Sequence, residues 1–156
     1  MAARSSVKRS LAIALAALAT ALLPLTPAHA AYGPDQPVAI QLNATDPTNT
    51  GLARLEGTVA FDDGNTMFRY SLRLCWLHAY PAPQARVVIN GTTVHSPVYT
   101  GTTYTPGCQQ TYLYAAEVNH GAVVGNVRFE VTGGWFYPGN QYNMRTKSYT
   151  YDNPYN

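Results

Sequence analysis

Charge is scarce in this sequence: Asp, Glu, Lys and Arg together make up 12% of its residues. Helix formers such as Lys and Glu are few. Past residue 31 no stretch repeats apolar residues at helical spacing. That excludes helical bundles, and with them any glycine-rich phosphate loop opening onto a helix. Long hydrophobic runs are also missing once the first thirty residues are passed, so no later segment has the length of a transmembrane helix. An excess of positive charge is lacking too. Three of the ten basic residues (Arg4, Lys8 and Arg9) lie before residue 31, and none of the eight acids does; beyond that point seven bases meet eight acids, a net of −1. Binding to nucleic acid or to an anionic membrane needs clustered positive charge. Neither is expected.

The first thirty residues have the layout of a secretory signal peptide. A basic start is followed by the apolar run Leu11 to Leu25, interrupted by Thr20 and Pro24, and Ala28-His29-Ala30 puts small residues at the cleavage positions. Cutting after Ala30 leaves 126 residues, one domain's worth. No cysteine follows at once for lipidation and the end of the chain is polar and aromatic, so a secreted, extracellular product without membrane attachment is expected. Only two cysteines occur, Cys75 and Cys108. In an oxidising compartment they are expected to pair, closing a loop worth about 4 kcal/mol by chain entropy.

Residues 31–53 are rich in Pro, Asn, Thr and Asp and read as an irregular segment, with one possible first strand at Val38 to Leu42. From 54 to 156 the pattern changes to period two, the signature of half-buried strands. Phe68, Tyr70, Leu72, Leu74 and Trp76 fall on one face, and Arg69, Ser71, Arg73 and Cys75 on the other. Asp62-Asp63-Gly64-Asn65 is a turn joining that strand to Leu55–Phe61 as a hairpin. Asn90-Gly91 between β-formers signals a second hairpin. Tyr99 to Gln109 reads as a long loop. Strands are expected over Gln110–Val118, Val123–Thr132 and Tyr142–Tyr151, the last two connected by Gly133 to Asn140. Seven or eight strands with tight turns indicate an all-β chain with a single antiparallel β-sandwich, immunoglobulin-like or jelly-roll-like, and a small β-barrel as runner-up. An immunoglobulin domain proper is disfavoured, because Trp76 adjoins Cys75 and points to the opposite face. By the same alternation, a Cys75–Cys108 bond holds the Tyr99–Gln109 loop on the outer face of its strand, displaying Tyr99 and Tyr104 near Arg73.

Catalytic patterns are thin. No Gly-x-Ser-x-Gly occurs, and His78, His95 and His120 lack metal-ligand spacing, so no metal, cofactor or catalytic residue is assigned. His95 and His120 read as exposed. Glu117 and Glu130 face each other if their strands are neighbours, or one pairs with Arg128. What is abundant is aromatic: twelve Tyr, two Trp and four Phe. Tyr99, Tyr104, Trp135 and Tyr137 fall in expected loops, Trp135 and Tyr137 either as a binding loop or as a lid over the sandwich. Rings with polar tips suit stacking on sugars or anchoring a protein interface. The expectation is a non-catalytic binding protein for carbohydrate or a cell-wall or biomass polymer, using Tyr99, Tyr104, Trp135, Tyr137 and Arg73. A secreted inhibitor or other protein-binding domain acting on an extracellular hydrolase is the alternative, and a small hydrolase the third reading.

Overall fold

The computed structural model describes residues 31–100, 108 and 112–156. Eight strands form: β1 (Gln36–Asn43), β2 (Gly51–Phe61), β3 (Met67–Trp76), β4 (Gln84–Ile89), β5 (Thr93–Thr100), β6 (Tyr112–Asn119), β7 (Asn126–Tyr137) and β8 (Gln141–Asp152). They make two four-stranded antiparallel sheets, ordered β1-β2-β3-β6 and β5-β4-β7-β8, which face each other as a sandwich. Among the described residues no helix is long and apolar enough to cross a membrane.

Alternation produces the core. Phe68, Tyr70, Leu72 and Leu74 of β3 are buried while Arg69 and Arg73 are exposed. In register beside them stand Phe61, Val59, Gly57 and Leu55 of β2. Val127, Phe129 and Val131 of β7 supply the opposing layer. Each large side chain so buried contributes about 1.5–3 kcal/mol. Both expected hairpins occur. Asn90 and Gly91 have φ of 52° and 76°, the paired positive values of a type I′ turn. In the β2–β3 turn the Asp62 carboxylate accepts from the Thr66 and Met67 amides at 3.0 and 2.6 Å.

Cys75 and Cys108 are bonded, with Cα atoms 5.0 Å apart. Cys75 pairs across from Arg54 on the outer side of the first sheet, and Cys108 precedes β6, the neighbour of β3. The bond therefore stays in one layer and does not cross the core, as alternation requires.

Three expected boundaries differ. Residues 31–53 were expected to be irregular apart from a possible first strand at Val38 to Leu42; that strand forms as β1, and the segment also contains the start of β2, with Leu52 and Ala53 fully buried. Val38, Ile40 and Leu42 alternate inward and close the core, so the sandwich begins well before residue 54. The expected loop from Tyr99 starts inside β5 instead. The expected connector Gly133–Asn140 is mostly strand: β7 runs to Tyr137 and only Pro138-Gly139-Asn140 turns, with φ of 93° and 64° at Gly139 and Asn140. The two glycines that suggested a turn serve packing. A Cβ on Gly133 would lie 3.1 Å from both Ala79 Cβ and Leu42 Cδ2, and one on Gly134 would strike the Tyr142 ring.

β8 is an edge strand. Arg145 and Lys147 sit at its inward-pointing register positions but stay exposed, a common device against edge-to-edge association.

Candidate binding surface

Of the residues singled out in the sequence, Tyr99 joins the two sheets. It lies at the end of β5, its ring centroid 4.0 Å from that of Tyr114 on β6, and its hydroxyl 2.5 Å from that of Tyr70 on β3. Tyr114 Oη in turn donates to the Thr100 carbonyl at 3.0 Å. β5 and β6 are edges of different sheets, so Tyr99 ties the two layers together instead of being displayed near Arg73. Burial, then the Tyr99 hydroxyl, pushes the Tyr70 phenol upward. His95, expected to be exposed, packs edge-on against Phe68 and Tyr70, and burial lowers its pKa. Arg73 is half exposed but is ion-paired to Glu56, which also holds Arg54 at 2.8 Å. Tyr104 lies outside the described residues.

Trp135 and Tyr137 belong to the lid, not to an exposed tip. Trp135 is 8% exposed and its ring joins the core. Tyr137 packs 5.9 Å from it and donates its hydroxyl to the Thr45 carbonyl at 2.8 Å. The odd-numbered residues of β7 continue the core face of Val127, Phe129 and Val131, which turns these two rings inward.

Phe136 therefore points outward, and sequence reasoning missed it. It is 49% exposed and stands in register with Tyr142 of β8, 44% exposed, at a centroid separation of 5.4 Å. Tyr80, 62% exposed, covers its other side at 5.4 Å, held there by its backbone amide donating to the Gly134 carbonyl at 2.8 Å. Met144, 66% exposed, is the outward neighbour of Tyr142 along β8. Because Gly134 has no side chain, the Tyr142 ring can occupy the space a Cβ there would take. The rings are tilted to one another by 46° and 54°, so the strip is continuous but not planar. Further along the same face Thr132 and Thr146 share a hydrogen bond of 2.7 Å across the strands. Beyond them, Glu130 is nearly buried between Arg86 and Arg128, the latter donating to it at 2.8 Å.

Glu117 and Glu130 do not face each other. Glu117 stands opposite Arg69 in the first sheet and Glu130 opposite Arg86 in the second. Glu130 pairs with Arg128 as one of the sequence readings had it. On the other face, Asp35 bonds Arg69 at 3.1 Å and Arg69 lies over the Tyr32 ring at 4.7 Å. Burial, followed by the neighbouring Glu117 carboxylate, raises the Tyr32 phenol to about 12. No protein-family model, curated protein or solved structure matches the chain.

Proposed function

We propose that this is a secreted, non-catalytic binding module that holds a carbohydrate polymer on the outer face of β7 and β8. The observation that carries the reading is the strip Tyr80–Phe136–Tyr142, in which the central Phe136 ring touches a ring on each side and all three are open to solvent. Apolar ring faces stack on the C–H faces of sugars, and the hydroxyls of Tyr80, Tyr142, Thr132 and Thr146 give that surface polar tips beside them. The tilt between the rings suits a single chain better than a flat crystalline surface, which would need coplanar platforms. The signal-peptide layout of the first thirty residues and the paired cysteines support an extracellular site of action.

Retention on insoluble chitin, cellulose and peptidoglycan tests this, with Phe136→Ala and Tyr142→Ala as controls. Retention lost in both variants at unchanged melting temperature is expected. No retention of the wild-type chain on any polysaccharide defeats the reading. Phe136 and Met144 lack a hydrogen-bonding tip, which favours a protein partner as the second reading, since aromatic and Met side chains are enriched in interface cores. Co-purification with an extracellular hydrolase, abolished by Met144→Lys, would decide for it.

A further inference from the structure

The net charge of −1 beyond residue 30 is the sum of two unlike halves. The first sheet and its loops carry Arg54, Arg69 and Arg73 against Asp35, Asp46, Glu56, Asp62, Asp63 and Glu117, a net of −3. The second sheet carries Arg86, Arg128, Arg145 and Lys147 against Glu130 and Asp152, a net of +2. The aromatic strip lies on the positive half.

On its outer face the positive charge has a defined place. Arg86 and Arg128 both reach Glu130 through Nε, one to each carboxylate oxygen. The Glu130 side chain is 7% exposed, whereas those of Arg86 and Arg128 are 49% and 33% exposed. One carboxylate neutralises two guanidiniums only in part, which leaves a unit of positive charge at the surface. Their Nη ends make no hydrogen bond or ion pair with any described residue. A guanidinium fixed by its Nε edge still offers its outer N–H groups to an anionic oxygen, in a geometry that costs little entropy because the buried carboxylate already holds it. Glu130 lies six residues before Phe136 on the same face of β7, about 20 Å away at the rise of a strand. Thr132 and Thr146 sit between. A polymer chain of several sugar units spans the distance.

We infer that the polymer is an anionic polysaccharide, stacked on Tyr80, Phe136 and Tyr142 at one end of β7–β8 and paired through its acidic groups with Arg86 and Arg128 at the other. This rests on the carbohydrate reading above. Both carboxylate and sulfate groups fit the two guanidiniums, so the probes include each.

The test compares retention of the wild-type chain on polygalacturonate with its methyl ester, and on dextran sulfate with plain dextran, at low and high salt. Ser148 is exposed and stands opposite Glu130 on β8, so charge can be changed there without touching the buried carboxylate. Preference for a charged polymer over its neutral counterpart, weakened by salt, is expected. Ser148→Glu should weaken retention by about fivefold and Ser148→Arg strengthen it to a similar degree, as an exposed charge pair allows. Preference for polygalacturonate assigns the site to carboxylates, and preference for dextran sulfate to sulfates. Equal retention of charged and neutral polymers, with both Ser148 variants unchanged, overturns the inference while the carbohydrate reading stands. Failure to retain any polysaccharide removes both. Duplex DNA held as tightly as the acidic polysaccharides also overturns it, because the attraction would then be charge alone.

Discussion

Changing Tyr99 to Phe should reveal how much of the sandwich depends on one hydrogen bond between its layers. The ring of Tyr99 would keep its contact with Tyr114, 4.0 Å between centroids. The hydroxyl, and with it the 2.5 Å bond to Tyr70, would go. Tyr70 is 3% exposed, and among the described residues its hydroxyl makes no other bond. A buried donor left without a partner costs about 1–3 kcal/mol. Against a typical total of about 5–15 kcal/mol for a domain, the loss is large for one oxygen atom. Tyr70→Phe should cost less, because the Tyr99 hydroxyl is only partly buried and water can replace its partner. The double variant removes donor and acceptor together and should be more stable than the sum of the single losses implies.

Urea denaturation of the oxidised protein measures all three, and the slope with denaturant should stay constant if only stability changes. Tyr99→Phe within about 0.5 kcal/mol of wild type would refute the latch. Strictly additive losses would refute it as well, since they would mean the two hydroxyls act separately. Tyr99→Ala also removes the ring that spans β5 and β6, and should cost up to about 3–5 kcal/mol.

Alkaline pH should destabilise the fold: Tyr32, Tyr70 and Tyr151 all have pKa values raised above 10.0 by burial, to about 12 for Tyr32. The unfolded chain ionises first, so stability is full below pH 10 and is lost as the pH rises above it towards the raised folded-state values. Denaturation midpoints measured across that range should show the fall, and Tyr70→Phe should make it shallower. Loss of the Cys75–Cys108 bond, whose partners are 33 residues apart, should cost about 4 kcal/mol by chain entropy, and equal melting temperatures for Cys75→Ser and wild type would contradict that. Gly134→Ala should impair polymer retention as much as Tyr142→Ala does, because the new Cβ would sit 2.3 Å from Tyr142 Oη and lift the ring from the sheet; unchanged retention would mean that ring is not part of the site.

Much of the fold was legible because local signals agreed with the tertiary arrangement. The Asn90-Gly91 turn, the Asp62–Asn65 turn and the alternation from Phe68 to Leu74 each follow from two or more neighbouring residues. β1 was harder. Its three inward residues, Val38, Ile40 and Leu42, stand among Pro, Asn and Asp, which diluted a pattern of only three repeats. The partner of each strand was not readable at all beyond the hairpins. Glu117 and Glu130 look adjacent along the chain, yet the step from β6 to β7 changes sheets. That step separates the two carboxylates.

The aromatic strip was missed by one residue of register, and the reason is physical. Taking Gly133-Gly134 as a turn ended the strand and freed Trp135 and Tyr137 to point outward. Carrying the alternation of Val127, Phe129 and Val131 through the glycines sends Trp135 and Tyr137 inward and Phe136 outward. In a strand a shift of one reverses every side chain, so a single turn assignment decided which ring faced solvent. The glycines themselves held the correcting signal: two small residues within an apolar run also mark a place where neighbours approach closely. Here the neighbours are Leu42 and Ala79 on one side and Tyr142 on the other. Tyr80 gave no such signal. It reaches Phe136 through a backbone bond to Gly134, a contact between segments more than fifty positions apart. Charge behaved in the same way, since a total near zero concealed a sheet of −3 facing a sheet of +2. Both features of the surface depend on which strands share a sheet, and that is settled by core packing between distant segments, not by the local pattern.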